Sequence, residues 1–287
     1  MKKLFTSLAL LLAAALATAR QDGSYQLDQT YPMGPTGTVD LRTSDARVTI
    51  TGSKRKDVHV RVERKVTAKG ITSANQDFRV EVTTENGNLK FREHQKGSNV
   101  TLAGYIKIDY RITLEVPEGA SLQVDGNDGT YTIANVDGNL SLELNDFEAR
   151  LTGCSGSSFR FRTNDGTLVM DEGRGTLDLD GNDGDVDIRN GRFEKIEARW
   201  NDGTMRIATS LTNTGSYRLN TEDGSLELTV TGGGGVFDIS HDDGSVTRKG
   251  NFTALLEEEN RTRLQLDGGS AQVRVQAGDA RVRLTAN

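Results

Sequence analysis

Residues 177–188 read Leu177-Asp178-Leu179-Asp180-Gly181-Asn182-Asp183-Gly184-Asp185-Val186-Asp187-Ile188. Apolar and charged residues alternate on both sides of Gly181-Asn182-Asp183-Gly184, which is the period of two of a strand with one buried face. Glycine admits positive φ without a Cβ penalty, and Asn and Asp bond to their own backbone and tolerate the left-handed region. The segment therefore predicts strand, tight turn, strand.

The pattern recurs outward in both directions. Asn127-Asp128-Gly129, Asn145-Asp146-Phe147, Asn164-Asp165-Gly166, Asn182-Asp183-Gly184, Asn201-Asp202-Gly203, Glu222-Asp223-Gly224 and Asp242-Asp243-Gly244 follow one another at intervals of 18, 19, 18, 19, 21 and 20 residues. Before these turns stand Leu122/Val124, Leu140/Leu142, Phe159/Phe161, Leu177/Leu179, Ile196/Ala198, Tyr217/Leu219 and Phe237/Ile239; after them stand Tyr131/Ile133, Ala149/Leu151, Leu168/Met170, Val186/Ile188, Met205/Ile207, Leu226/Leu228 and Val246/Arg248. Simple hairpins would also use Asp-Gly turns between alternating strands. A near-constant period with recurring inward positions favours coils that stack on one another. The three prolines in 287 residues fit, because a proline removes a ladder hydrogen bond wherever strands stack. The expected fold is all-β: a right-handed, single-stranded, β-helix-like solenoid with a β-rich N-terminal cap.

The domain plan follows. Residues 1–19 read as a secretory signal, with Lys2 and Lys3 before the apolar Leu4–Leu16 and the small-x-small site Ala17-Thr18-Ala19. Residues 20–116 form strands that cap the solenoid, 117–250 hold the regular repeats, and 251–287 supply C-terminal coils and a second cap. The apolar stretch is shorter than a spanning helix needs, and the mature chain has no transmembrane segment. No cysteine follows the apolar stretch to carry a lipid. The expected location is outside the cytoplasm, in the periplasm or at the cell surface.

Thirty-two glycines and a 34% hydrophobic content exclude collagen, coiled coil and multispan membrane protein. Loss of Lys2 and Lys3 with the leader takes the formal net charge from −6 to −8, which argues against nucleic acid as a partner. The N-terminal strands differ from this acidic average: Lys54-Arg55-Lys56, Arg61, Arg64, Lys65 and Lys69 make a basic end suited to an anionic envelope polymer.

No catalytic constellation emerges. His59, His94 and His241 have no metal-ligand spacing, and His241 occupies the repeat slot of Gly126, Leu144, Thr163, Gly181, Trp200 and Thr221. Cys154, the single cysteine, reads as a small buried residue. No phosphate loop or dinucleotide fingerprint is present, so no cofactor is expected. The aspartates of the turns would stack about 4.8 Å apart, and Asp178, Asp180, Asp183, Asp185 and Asp187 are the candidates for holding a divalent cation. Their spacing misses the helix-loop-helix calcium pattern, and Gly232-Gly233-Gly234-Gly235-Val236-Phe237 misses the nonapeptide one. Arg162, Arg189 and Arg206 beside these carboxylates leave a polysaccharide-active enzyme as the catalytic alternative.

Thr43-Ser44-Asp45-Ala46-Arg47-Val48-Thr49-Ile50-Thr51-Gly52 leading into Asp57-Val58-His59-Val60, then Leu114-Glu115-Val116-Pro117-Glu118-Gly119-Ala120-Ser121-Leu122 and the Asn-Asp-Gly repeats, resemble the bacterial putative-adhesin family, a domain of unknown function built of β-strand repeats. The resemblance covers about Thr38 to Gly250. It implies an exported, non-enzymatic β-solenoid of the cell envelope with an adhesion role, an envelope or extracellular polymer or protein as partner, and no catalytic residues to transfer. The alternative left by the residues themselves is a periplasmic binder of divalent cations or glycans.

Overall fold

The computed structural model describes residues 18–19 and 23–286. The segment read as a signal, 1–19, lies outside the described residues except for Thr18–Ala19.

Each repeat is one coil with two strands that run up two faces of the molecule and meet at the Asn-Asp-Gly corner. On the first face, Ser121–Gly126, Leu140–Leu144, Ser158–Thr163, Thr176–Gly181, Lys195–Trp200 and Ser216–Thr221 lie in parallel register, as Leu122↔Leu140↔Phe159 and Leu177↔Ile196↔Tyr217 show. On the second, Tyr131↔Ala149↔Leu168↔Val186↔Met205↔Leu226 align in the same way. The inward residues of both faces form one continuous core. Every inward pair expected from the repeat is buried from Leu122 to Leu228. The fold is an all-β solenoid.

The corners are closed by backbone approach. Gly203 has φ +96°, and a Cβ there would lie 2.0 Å from the Gly184 carbonyl of the coil below. Glycine at this slot thus answers both the turn and the stacking distance. Phe147 occupies the same slot in the coil of Leu140–Thr152, beside Gly129 and Gly166. Where the corner leaves room inside, a large ring fills it: Trp200 packs over Gly181 and donates its Nε1–H to the Gly184 carbonyl at 3.2 Å.

At the N-terminal end the first coil, Thr38–Thr43 with Ala46–Ser53, sits between the coil of Ser121–Ala134 and a long antiparallel hairpin, Asp57–Glu85 with Asn88–Pro117. The hairpin turns at Asn86-Gly87, both at positive φ. Tyr25–Pro32 adds a strand against Asp57–Arg64, and Thr18–Ala19 pairs with its start.

The C-terminal end departs from sequential stacking. The strand Gly235–His241, although it follows Ser216–Thr221 at the regular interval, does not lie on it. The final coil, Ala271–Ala277 with Arg281–Ala286, is inserted between them: Arg218 pairs with Arg274, which pairs with Asp238, and Leu226 pairs with Val282, which pairs with Val246. The chain therefore passes over one coil's height, turns through the antiparallel strands Phe252–Glu258 and Arg261–Leu266, and returns to fill the gap. The second-face strand Ser245–Lys249 ends that face, so Val246 is half-buried and Arg248 is exposed, unlike their counterparts in lower coils.

Candidate functional surface

The stacked corners place one aspartate from every coil in a column. Asp128, Asp146 and Asp165 are in direct register. Asp183 bonds through its backbone to Asn164, Asp202 to Asn182, and Asp223 to Asn201. Asp279 of the inserted coil follows, through a bond to Glu222. Partial desolvation, then the neighbouring carboxylates of Asp165 and Asp202, push the Asp183 carboxyl above the usual carboxylate range. At the lower end, burial first and then Asp128 and Glu93 raise Asp45. Beside the column, Asn145 donates to Asn127 at 3.3 Å and Asn201 to Asn182 at 2.7 Å, so parts of the expected amide ladder form.

The five aspartates singled out in the sequence do not come together. Asp178 lies on the first face, where Arg162 at 2.7 Å and Arg160 at 3.3 Å hold its carboxyl below the ordinary range. Asp180 lies on the same face, 3.9 Å from Arg199. Asp183 belongs to the corner column. Asp185 and Asp187 point outward from the second face, and Asp187 accepts two bonds from Arg189. Alternation sends residues two apart to one face, and the corner divides the set. Among the described residues no three His, Cys, Asp or Glu side chains converge as a metal-holding group.

The arginines are tied into the faces in the same way. Arg218 reaches Glu197 at 3.1 Å, Arg261 reaches Asp238 at 2.8 Å, and Arg206 and Arg283 share Glu227. These are cross-strand pairs, between adjacent coils for Arg218, Arg206 and Arg283 and onto the antiparallel strand Arg261–Leu266 for Asp238, and they stabilise the sheet modestly. His59 bonds Asp28, His94 bonds Glu81, and His241 faces the Asp242 carbonyl, three separate places. Cys154 is buried against the carbonyls of Ile133 and Thr152, and its burial raises the thiol. Arg64, counted with the basic end, is instead buried, stacked 4.4 Å from the Phe78 ring centre and bonded to the Gly23 carbonyl.

One groove of about 990 Å³ opens at the lower corner, between the first coils and the overhanging segment Glu93–Gly97 of the long hairpin. Arg42, Asp45, Asp125, Glu143, Arg162 and the column asparagines line it. Glu93 is held in place by Thr43 Oγ1, the Ser44 N–H and Ser44 Oγ. Tyr131 is fully buried near Asp125 and Asp128; its hydroxyl has no partner among the described residues and stands in the space that a Cβ on Gly126 would fill. The groove offers carboxylates, amides, hydroxyls and two guanidinium groups, a lining for a polar ligand rather than an apolar one. The segment that overhangs it was missed in the sequence; Asn86-Gly87 between alternating runs is the hairpin signal that would have revealed it.

Stacked parallel coils, two faces and a carboxylate corner define an all-β solenoid of stacked β-strand repeats. The chain belongs to the Toastrack DUF4097 family, whose model matches residues 37–284. No curated protein matches the chain. Solved structures similar to it include a putative cell adhesion protein from Clostridium sporogenes (11% identity, 91% of this chain and 100% of that one, TM-score 0.28). Others are a putative adhesin from Bacteroides fragilis (11% identity, 90% and 96%, TM-score 0.37) and a putative lipid binding protein from Parabacteroides distasonis (10% identity, 90% and 96%, TM-score 0.32). Among the described residues no helix is long and apolar enough to cross a membrane.

Proposed function

We propose that this protein is an exported, non-enzymatic scaffold that acts through the faces and corner of its solenoid as an adhesion or cell-envelope interaction module. The observation that carries the reading is the repeat itself: the same corner chemistry is presented coil after coil along one edge, which suits an extended polymeric partner contacted at many weak points. The faces support it, because their arginines and carboxylates are engaged with each other across coils. A second reading, a binder of a glycan or a divalent cation, is favoured by the groove and its lining of carboxylates, amides and hydroxyls.

Protease digestion of intact cells, against an osmotically shocked control, tests the first reading. Digestion on intact cells is the expected result for a surface adhesin. Protection until the outer envelope is opened would discard adhesion and leave an envelope scaffold facing inward. Recovery of the protein only in the cytoplasm would sink both.

A further inference from the structure

The long hairpin does more than cap the solenoid. Arg42 pairs with Arg92 and Arg47 with Arg111, so five residues of the first coil are matched by nineteen of the hairpin strand. The two strands remain paired through this surplus, and the ribbon therefore leaves the body as an arch at the corner. Gly70 faces Gly104 at its near bend, both at positive φ, and a side chain on either would strike the opposite backbone.

The arch concentrates what the rest of the surface avoids. Leu102 is 81% exposed, Ile71 66%, Tyr105 50% and Ile108 39%; among the described residues, Leu255 is the one other large hydrophobic side chain so exposed. Leu102 is the extra residue of a bulge between the Ile71–Ala103 and Thr72–Thr101 pairs, a device that re-aims a side chain. Alternation puts Lys65, Lys69 and Ile71 on one side of the ribbon with Tyr105 and Lys107, and Lys69 pairs directly with Tyr105. None of Lys65, Lys69 and Lys107 has an ion-pair partner among the described residues, whereas Arg55 and Arg61 of the basic end are engaged with carboxylates.

We infer that this arch is a membrane-docking element that seats on an anionic lipid surface. Exposed aliphatic side chains beside a tyrosine enter the interfacial region, where a ring with one polar end is favoured, while flanking lysines lay their stems along apolar surface and keep their ammonium groups at the headgroups. Charge selects the lipid over a second copy of this chain, because two arches facing one another would oppose lysine to lysine. The chain as a whole, at −8 without the leader, is repelled by the same surface, which leaves the lysine-bearing arch as the part that faces it. The inference rests on the envelope reading above, yet it is tested without cells.

The test is sedimentation of the mature protein with vesicles of phosphatidylcholine alone or with about one third phosphatidylglycerol. Binding is expected to the anionic vesicles, falling with salt. Lys69→Gln with Lys107→Gln should weaken it on the order of thirtyfold, since each lysine near an anionic surface contributes a severalfold factor. Leu102→Ser, at an exposed bulge, should fold normally by circular dichroism and also bind less. No binding by the native protein, or equal binding by all three proteins, overturns the inference while the protease result stands untouched. A concentration-dependent dimer abolished by Leu102→Ser overturns it too, and assigns the patch to a second copy.

Discussion

At the level of single residues, the corner aspartates oppose the stack that their backbones build. Asp183 stands between Asp165 and Asp202 with its carboxyl pushed upward. A carboxyl whose folded pKa lies above its unfolded value contributes stability that is fully present below the unfolded pKa and is lost as the pH climbs through the folded one. Asp183→Asn should therefore melt above the native protein at pH 7, with the difference closing as the pH is lowered to about 3. A lower Tm at pH 7 would show that the carboxylate is needed for the turn. Asp178 behaves oppositely: Arg162 lowers it, so its contribution is present above the unfolded pKa and fades as the pH falls through the folded one. The inward positions were legible in the sequence because an apolar residue in a strand of period two has one place to go. The pairing of Asp178 with Arg162 was not, since it depends on which outward residues of neighbouring coils come level.

Among elements, the repeat period fixed the coil, not its neighbours. Asp242-Asp243-Gly244 follows Glu222-Asp223-Gly224 at a normal interval with the ordinary inward pair Phe237/Ile239 before it; Arg248 at an inward slot marks the end of the second face, but no residue marks the gap between the two coils. The inserted strand Ala271–Ala277 fills it with the same alternation as the others. Because Cα partners on adjacent strands lie within disulfide range and those two strands apart do not, cysteines can read this order. Arg218→Cys with Arg274→Cys should form an intramolecular disulfide under mild oxidation, and Arg218→Cys with Asp238→Cys should not. Non-reducing electrophoresis after trypsin digestion distinguishes them, and the reverse outcome would restore sequential stacking. The hairpin was legible in part: Asp57–Thr67 and Asp77–Thr84 alternate as strands, but the stretch between them has no clean alternation. Its pairing across the bulge at Leu102 follows from tertiary register.

For the whole molecule, a solenoid holds each coil by its neighbours, so the loss of one coil is felt in the next. Removing 271–286 takes away the ladder that holds Ser245–Lys249, leaves Gly235–His241 with its antiparallel partner Arg261–Leu266, and uncovers Tyr217, Leu219, Leu226 and Leu228 on the coil below. In such a truncated protein, hydrogen exchange should find the amides of 245–249 unprotected while those of 121–189 stay slow. Continued protection of 245–249 would mean that it rests directly on Ser225–Gly232. The inserted coil also sets an order in time. Glu227 and Arg283, partners across adjacent coils, are 56 residues apart in sequence, against roughly twenty between successive coils from Ser121 to Gly232. The extra chain entropy of that closure is about 1 kcal/mol, a small penalty at equilibrium. Its larger effect is on assembly: the lower coils can wind one upon another as the chain emerges, whereas the upper end waits for the last segment to be delivered. The final coil is a keystone, and until it is set the molecule carries an open edge to which a strand of another chain could add.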